Sequence, residues 1–171
     1  RFLGHNIPER VAGVDLFHSL LDMSSEKNFQ VFLLGAEEAV VAKTAETVKQ
    51  LHKGIDVVGF HHGYFWDDEQ AVVDKIKASG ARLLFVAITS PKKENFINKW
   101  QDQLGVDFVM GVGGTFDVVA GKVKRAPLWM QKNGLEWFYR IVQEPRRMWK
   151  RYAVTNSLFA WLLIKEKLKA R

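Results

Sequence analysis

The stretch Phe-Gln-Val-Phe-Leu-Leu-Gly-Ala at residues 29–36 decides the fold class of this chain. It is a continuous apolar run closed by Gly35, which is the pattern of a strand buried on both faces. A segment with helical spacing of apolar residues follows at 38–53 and ends at Gly54. A doubly buried strand followed by a helix begins a βαβ unit, so the stretch predicts a parallel sheet.

The alternation of strand and helix continues along the chain. Three more strands are predicted at 55–60, 81–88 and 106–112, and two more helices at 67–79 and 91–104. The spacing predicts right-handed crossovers and an α/β fold, a Rossmann-like parallel sheet with flanking helices. Ligands of such sheets bind beyond the carboxyl ends of the strands. The loops to inspect are therefore 35–38, 60–67, 88–93 and 111–117.

The positive charge of the chain is concentrated at its carboxyl end. The net charge is +6, but residues 126–171 hold ten Lys/Arg, three Glu and four of the six tryptophans. We therefore predict an α/β domain at 1–126 and a basic, Trp-rich helical appendage at 127–171. The appendage is predicted to contain helices at about 134–143, 145–153 and 157–169, the last capped by Asn156 or Ser157.

Several kinds of site are excluded or disfavoured by residue content. The chain has no cysteine, which excludes disulfides, thiolate nucleophiles and cysteine-ligated metals. The longest apolar run, 158–164, is far shorter than the ~20 residues of a spanning helix. The acids of 66–70 fit a helix start, and the adjacent His61 and His62 point opposite ways in an extended segment. We predict neither a metal site nor a cofactor.

Two segments after predicted strands suit anion binding. In Gly-Val-Gly-Gly-Thr-Phe-Asp at 111–117, three glycines let backbone N–H groups approach phosphate oxygens, although a tight strand exit has the same composition. In Ser-Pro-Lys-Lys-Glu-Asn-Phe at 90–96, Lys92 and Lys93 lie at a predicted helix start, which fits either an anion site or a solvated first turn.

Residues 8–17 read as a loop that enters a helix. Asp15 is the predicted cap of that helix. The guanidinium of Arg10 is suited to clamping a diphosphate, and equally to an ion pair at the surface.

The segment 144–152 clusters cations on one helix. Arg146 stands over Lys150 and Arg147 over Arg151, each at i,i+4, and such like charges repel unless an anionic partner is present. Attraction to an anionic lipid surface contributes ~1 kcal/mol for each of these cations. Four cations give roughly 4 kcal/mol, on the order of a thousandfold enrichment of the protein at the surface. The alternatives are a tail folded onto its own domain and a nucleic-acid-binding module, although no RRM, KH or helix-turn-helix signature occurs.

Six blocks in fixed order together resemble the WecG/TagA/CpsF glycosyltransferase family. They are ERVAGVDL (9–16), LLGA (33–36), GFHHGYF (59–65), SPKKE (90–94), GVGGTFDVVAGKVKRAP (111–127) and LEWFYRIVQEPRRMWKRY (135–152). The resemblance runs from about Pro8 to Tyr152.

The resemblance implies an activity and a location. Members of that family move N-acetylmannosamine or its uronic acid from a UDP donor to a polyprenyl-diphosphate-linked sugar, for teichoic acid and other cell-wall or exopolysaccharide synthesis. It implies inversion at the anomeric carbon, no divalent metal, and no nucleic-acid partner. It also implies a cytoplasmic protein whose appendage docks peripherally on the anionic inner face of the plasma membrane. A homo-oligomer is compatible with this reading.

The resemblance also implies roles for individual residues. Arg10 and Lys93 match catalytic positions, although glutamine is usual in place of Lys93. The residues implied to bind substrate or UDP are Gly35, Tyr64, Gly111, Gly113, Gly114, Asp117, Arg146, Arg147 and Arg151.

One element of the family pattern does not occur in this sequence. The proposed base of the family is an aspartate in a Pro-Asp-Gly segment upstream of the ERVAG block, and Asp15 lies on the wrong side of Arg10 to replace it. We therefore expect these 171 residues alone to bind UDP weakly and to transfer little sugar. A non-catalytic nucleotide-binding fragment is the alternative.

Overall fold

The structure, a computed structural model, describes residues 11–169, except the side chains of Arg147, Arg151 and Lys169. The helices are α1 (Gly13–Lys27), α2 (Glu38–Leu51), α3 (Glu69–Ala78), α4 (Lys92–Trp100), α5 (Thr115–Val119), α6 (Leu128–Lys132), α7 (Glu136–Gln143) and α8 (Pro145–Lys169). The strands are β1 (Gln30–Gly35), β2 (Asp56–His61), β3 (Leu83–Ala87) and β4 (Phe108–Gly111). The described chain forms two compact units, which meet in sequence between Val123 and Lys124.

The first unit is built on a four-stranded sheet. All strand pairs are parallel and the strand order is β2-β1-β3-β4. The predicted α/β class and parallel sheet are therefore confirmed. The order reverses between β1 and β3, because the chain moves outward from β1 to β2 and then returns to β3 on the other side. Such a reversal opens a crevice at the carboxyl ends of the two strands.

Strand β1 lies at the centre of the core. Val31 and Leu33 pack in a cluster with side chains of α1, α2 and α5, whereas Phe32 and Leu34 pack with side chains of α3 and α4. All four strand residues are fully buried. Alternate side chains of a strand point to opposite faces, so the run of apolar residues supplies both layers at once. The predicted burial of this strand on two faces is confirmed.

The start of α1 differs from the prediction. Its cap is Ala12, whose carbonyl accepts the N–H groups of Asp15 and Leu16, each at 3.0 Å. Asp15 is therefore already inside the first turn, where the helix dipole favours a carboxylate. The helix ends at Asn28 in the left-handed conformation, a conformation that asparagine tolerates better than most residues.

The second unit contains α6, α7 and α8. The predicted break at Asn156 or Ser157 is wrong, because α8 runs unbroken from Pro145 to Lys169. Asn and Ser cost a helix interior only some tenths of a kcal/mol, and no glycine or proline follows Pro145 to interrupt the hydrogen bonds. At the start of this unit, the Gln143 carboxamide accepts the N–H of Lys124 and donates to the carbonyl of Lys124, both at 2.9 Å. The assignment of separate functions to 1–126 and 127–171 stays a prediction.

Candidate functional site

The ends of β1 and β3 touch through their backbones at the crevice. Gly35 has φ +121°, and a Cβ at this position would lie 2.4 Å from the carbonyl oxygen of Ala87. The next residue, Ala36, has φ +59° and donates its N–H to the same carbonyl at 3.0 Å. Only glycine permits this approach, so Gly35 sets the shape of the strand exit.

The loop after β2 packs onto that exit. The N–H of Gly63 donates to the carbonyl of Ala36 at 2.9 Å, and a Cβ at Gly63 would lie 3.2 Å from the Gly35 Cα. The next residue, Tyr64, donates its N–H to Nδ1 of His62 at 3.1 Å. Its side chain is 69% exposed, which leaves the phenol ring in solvent beside the carboxyl end of β2.

Lys93, in the first turn of α4, crosses the end of β4. A Cβ at Gly111 would lie 2.6 Å from both Cδ and Cε of Lys93, so the lysine stem occupies the space that a side chain there would need. The Lys93 side chain is only 19% exposed, and its Nζ lies 2.9 Å from Oε1 of Glu94. This places a cation at the carboxyl ends of β3 and β4.

Glu94 is held in turn by Ser90. The Ser90 hydroxyl donates to Glu94 Oε1 at 2.7 Å. Hydrogen bonds from Ser90 and then from Lys93 lower the pKa of the Glu94 carboxyl to about 2. The carboxylate is therefore ionised at neutral pH and remains an acceptor for both donors.

The glycine-rich turn follows Gly111. Gly113 has φ +51°, and a Cβ there would meet nothing within 4 Å. The turn is anchored by Thr115, whose hydroxyl donates to the carbonyl of Val112 at 2.7 Å, and by the fully buried Phe116. Asp117 is half-buried in α5, and its carbonyl accepts the N–H of Val123 at 3.0 Å. Thr115 and Phe116 therefore hold the glycine backbone of the turn in place next to Lys93.

Two contacts at this edge were missed by reasoning from sequence. One is the Ser90–Glu94 bond, whose i,i+4 spacing was a usable signal. The other is the ion pair between Lys122 Nζ and Glu37 Oε2 at 2.8 Å, which joins the start of α2 to the segment after α5. These two residues are 85 positions apart, so nothing local predicted their contact.

The predicted site residues divide between the two units. The first unit places these at the carboxyl side of the sheet: Gly35, Tyr64, Lys93, Gly111, Gly113, Gly114 and Asp117. The second unit carries Arg146, exposed in the first turn of α8, and further along this helix Arg147 and Arg151. Arg10 lies outside the described residues. Within 11–169, no three His, Asp or Glu side chains gather as a metal ion would require. The roles of all these residues stay predictions.

A family model described as "Glycosyl transferase WecG/TagA/CpsF family" matches residues 1–171. The chain belongs to this family. The resemblance drawn from the motif blocks is thereby confirmed.

Two relatives carry the name N-acetylglucosaminyldiphosphoundecaprenol N-acetyl-beta-D-mannosaminyltransferase. The protein of Bacillus spizizenii is 39% identical over 171 residues, which cover 100% of this chain and 66% of the relative. The protein of Bacillus subtilis is 34% identical over 169 residues, which cover 99% of this chain and 65% of the relative. The chain thus spans slightly less than two thirds of the length of these relatives.

Lys93 stands where the resemblance leads us to expect a glutamine, and its geometry shows what a lysine provides there. A glutamine at this position would be shorter and uncharged, whereas the lysine stem reaches across Gly111 and ends in an ammonium group. A fixed ammonium beside a glycine-rich turn can neutralise negative charge on a ligand oxygen. A carboxamide at the same place would offer a hydrogen bond without the charge.

Proposed function

We propose that the protein is a glycosyltransferase that moves N-acetylmannosamine, or a related sugar or uronic acid, from a UDP donor to a polyprenyl-diphosphate-linked sugar. Family membership supports the reaction class. The names of the two relatives describe transfer of an N-acetyl-β-D-mannosaminyl group to N-acetylglucosaminyl-diphosphoundecaprenol. The observation that carries the proposal for this chain is the ammonium of Lys93, held over Gly111 beside the glycine-rich turn.

The chemistry explains why cations belong at this edge. In an inverting transfer, the acceptor hydroxyl attacks the anomeric carbon from the face opposite the diphosphate. Its proton passes to a base, which the family resemblance places upstream of the ERVAG block. The bond from that carbon to the diphosphate oxygen breaks, and its electron pair leaves with UDP. Fixed positive groups stabilise the charge that develops on the leaving oxygen, and they can do so without a divalent metal. We assign this work to Lys93. For Arg10 and the arginines of α8, the same role stays what the family resemblance implies.

The remaining predicted residues fit recognition of the donor. The glycine-rich turn that contains Gly113 and Gly114 is suited to phosphate oxygens, because a glycine backbone can be approached closely. The exposed ring of Tyr64 is suited to stacking on a base or a sugar face. Asp117 supplies an acceptor for a hydroxyl of the nucleotide. Gly35 allows the ends of β1 and β3 to approach closely beside the crevice, because any side chain there would meet the backbone of Ala87.

The proposed acceptor is attached to a lipid, and α8 has a surface suited to a membrane. Its residues 158–164 are all apolar, and five large side chains among them are exposed: Leu158, Phe159, Trp161, Leu162 and Ile164. Seven consecutive residues turn through almost two helical turns, so they present apolar groups on every side. Lys165, which follows, has its Nζ 4.9 Å from the centre of the Trp161 ring. Apolar and aromatic groups beside lysines suit an anionic bilayer surface.

This membrane contact is proposed as peripheral. No helix within residues 11–169 combines the length and the apolar character needed to cross a bilayer. Burial of one exposed Leu, Ile or Phe side chain in the acyl boundary is worth roughly 1.5–3 kcal/mol, and each nearby cation adds ~1 kcal/mol. A few such residues therefore suffice for reversible binding on the cytoplasmic face.

A transfer assay tests the proposed activity. The chain, and a version that carries the upstream segment of its relatives, would be incubated with a panel of UDP-sugars and a short-chain polyprenyl-diphosphate-GlcNAc acceptor. We expect transfer from UDP-N-acetylmannosamine or its uronic acid, unchanged by a chelator, with inverted anomeric configuration in the product. Failure of both versions with every donor would refute the proposal. Dependence on a divalent cation would refute its metal-independent form.

A further inference from the structure

Ser90, Lys93 and Glu94 form a linked chain of polar contacts at the start of α4. We propose that Glu94 and Ser90 are positioning residues, which hold the ammonium of Lys93 where it meets a phosphate oxygen of the donor. This inference rests on the proposed function, because the phosphate belongs to the UDP moiety. Ser90 and Glu94, which are not among the predicted site residues, would thus fix the position of Lys93, which is.

The Lys93 side chain follows a confined path. A free lysine side chain carries about 2 kcal/mol of rotamer entropy and normally extends into water. Lys93 instead lies across Gly111, where its Cδ and Cε fill the position that a Cβ would take. Its side chain is consequently much less exposed than that of Glu94, at 19% against 52%. The absence of a side chain at Gly111 thus creates the groove in which the stem lies.

Glu94 connects the other two residues of the group. Glu94 Oε1 lies 2.9 Å from Lys93 Nζ and 2.7 Å from the Ser90 hydroxyl that donates to it, so one oxygen joins both neighbours. An ammonium has three donors, and this contact engages one of them. A second Lys93 donor directed at a phosphate would complete a charge-assisted hydrogen bond without a search among rotamers.

A simpler role for Glu94 is stabilisation of α4. A carboxylate in the first turn of a helix interacts favourably with the helix dipole, whatever Lys93 does. The two roles predict opposite effects on an anionic ligand. If Glu94 contributes only its charge near the site, its removal relieves repulsion and strengthens UDP binding. If Glu94 positions Lys93, its removal releases the ammonium and weakens UDP binding.

Two substitutions separate geometry from charge. Glu94→Ala removes both the charge and the acceptor oxygen, whereas Glu94→Gln removes the charge and keeps an oxygen that can accept from Lys93 and Ser90. We expect Glu94→Ala to raise the dissociation constant for UDP by roughly tenfold, as loss of one ordered charge-assisted contact would. Glu94→Gln should leave it within about threefold, and Ser90→Ala should give an intermediate loss.

The Lys93→Gln background provides the decisive control. A positioning residue acts through Lys93, so Glu94→Ala should cause no further loss of UDP affinity once Lys93 is glutamine. UDP binding would be followed by protein-detected NMR titration, which registers weak binding, with thermal unfolding of each variant alongside. A role confined to α4 would lower the unfolding temperature and act equally in both backgrounds.

Acylation of the lysines gives a second readout that needs no ligand. The rate at Lys93, compared by mass spectrometry with that at exposed Lys92, should rise in Glu94→Ala and remain low in Glu94→Gln. Additive effects in the two backgrounds, tighter UDP binding by Glu94→Ala, or an unchanged Lys93 rate would each overturn the inference and leave the proposed function intact. Absence of UDP binding by the unaltered chain and by its upstream-extended version would overturn the proposed function, and the inference with it.

Discussion

Replacing Gly35 with alanine tests whether backbone contact between β1 and β3 organises the carboxyl edge of the sheet. The new Cβ would lie 2.4 Å from the carbonyl oxygen and 2.5 Å from the carbonyl carbon of Ala87. Both are backbone atoms of a buried strand, so no side-chain rotation can relieve the overlap. The two strands would have to separate, which stretches the 3.0 Å bond from the Ala36 N–H to Ala87.

The expected cost follows from two contributions. Holding an alanine at φ +121° costs of order 1–3 kcal/mol. Overpacking against rigid neighbours typically costs another ~1–3 kcal/mol. We therefore expect Gly35→Ala to lower the free energy of unfolding by about 4 kcal/mol, a large fraction of the ~5–15 kcal/mol typical of a domain.

Urea unfolding followed by tryptophan fluorescence measures this loss as a shift in midpoint at constant slope. Gly80→Ala is the matched control, because Gly80 also has positive φ (+69°) but a Cβ there would meet nothing within 4 Å. Gly80→Ala should lower the free energy of unfolding only by the ~1–2 kcal/mol that a left-handed backbone conformation costs alanine. If Gly35→Ala is no more destabilising than Gly80→Ala, the backbone contact does not constrain this edge and the reasoning fails.

Three further predictions concern other parts of the chain. In Gly111→Ala, the three atoms nearest to the Cβ all belong to the flexible end of Lys93, so the free energy of unfolding should change by less than ~1 kcal/mol. UDP affinity should fall roughly tenfold as Lys93 is displaced, and an NMR titration that finds full affinity would contradict this. Hydrogen bonds from Lys99 and then Trp100 lower the pKa of Glu69, so its stabilisation is present above the unfolded-state pKa and lost as pH falls through the folded one. Glu69→Gln should therefore cost ~1 kcal/mol at pH 7 and progressively less as the pH is lowered into the acid range in urea unfolding, and a cost that does not change with pH would count against the assignment. Reversing Arg147 and Arg151 to glutamate should lower both pelleting with anionic liposomes and sugar transfer by at least about tenfold; loss of pelleting with full activity on a soluble acceptor would make the appendage an anchor alone.

The strands were predictable because their signal is local. The apolar run at 29–36 contains β1, and its observed bounds lie within one residue of it at each end. The unbroken apolar run indicates burial on two faces without any knowledge of where the helices lie. The glycine-rich turn was visible for a similar reason, since consecutive residues impose the backbone freedom that a tight turn needs.

Other features were not readable in this way. Asp15 and Asn156 are residue types that favour helix caps, but the structure places both inside helices. A cap preference is worth about 1 kcal/mol, and continuation of a helix with its hydrogen bonds can outweigh it. The pair formed by Glu37 and Lys122 depends on how α2 and the segment after α5 lie against the sheet, and neither segment encodes that by itself.

The sequence alone determined the alternation of strands and helices, the glycine-rich turn and the basic, aromatic tail. Each of these depends on residue types within a few positions of one another. The tertiary structure decided the order β2-β1-β3-β4, and with it which loops share an edge. That order brings Gly35 against Ala87 and Lys93 over Gly111. Such contacts arise only when separate apolar faces pack on one sheet, so distance along the chain does not reveal them.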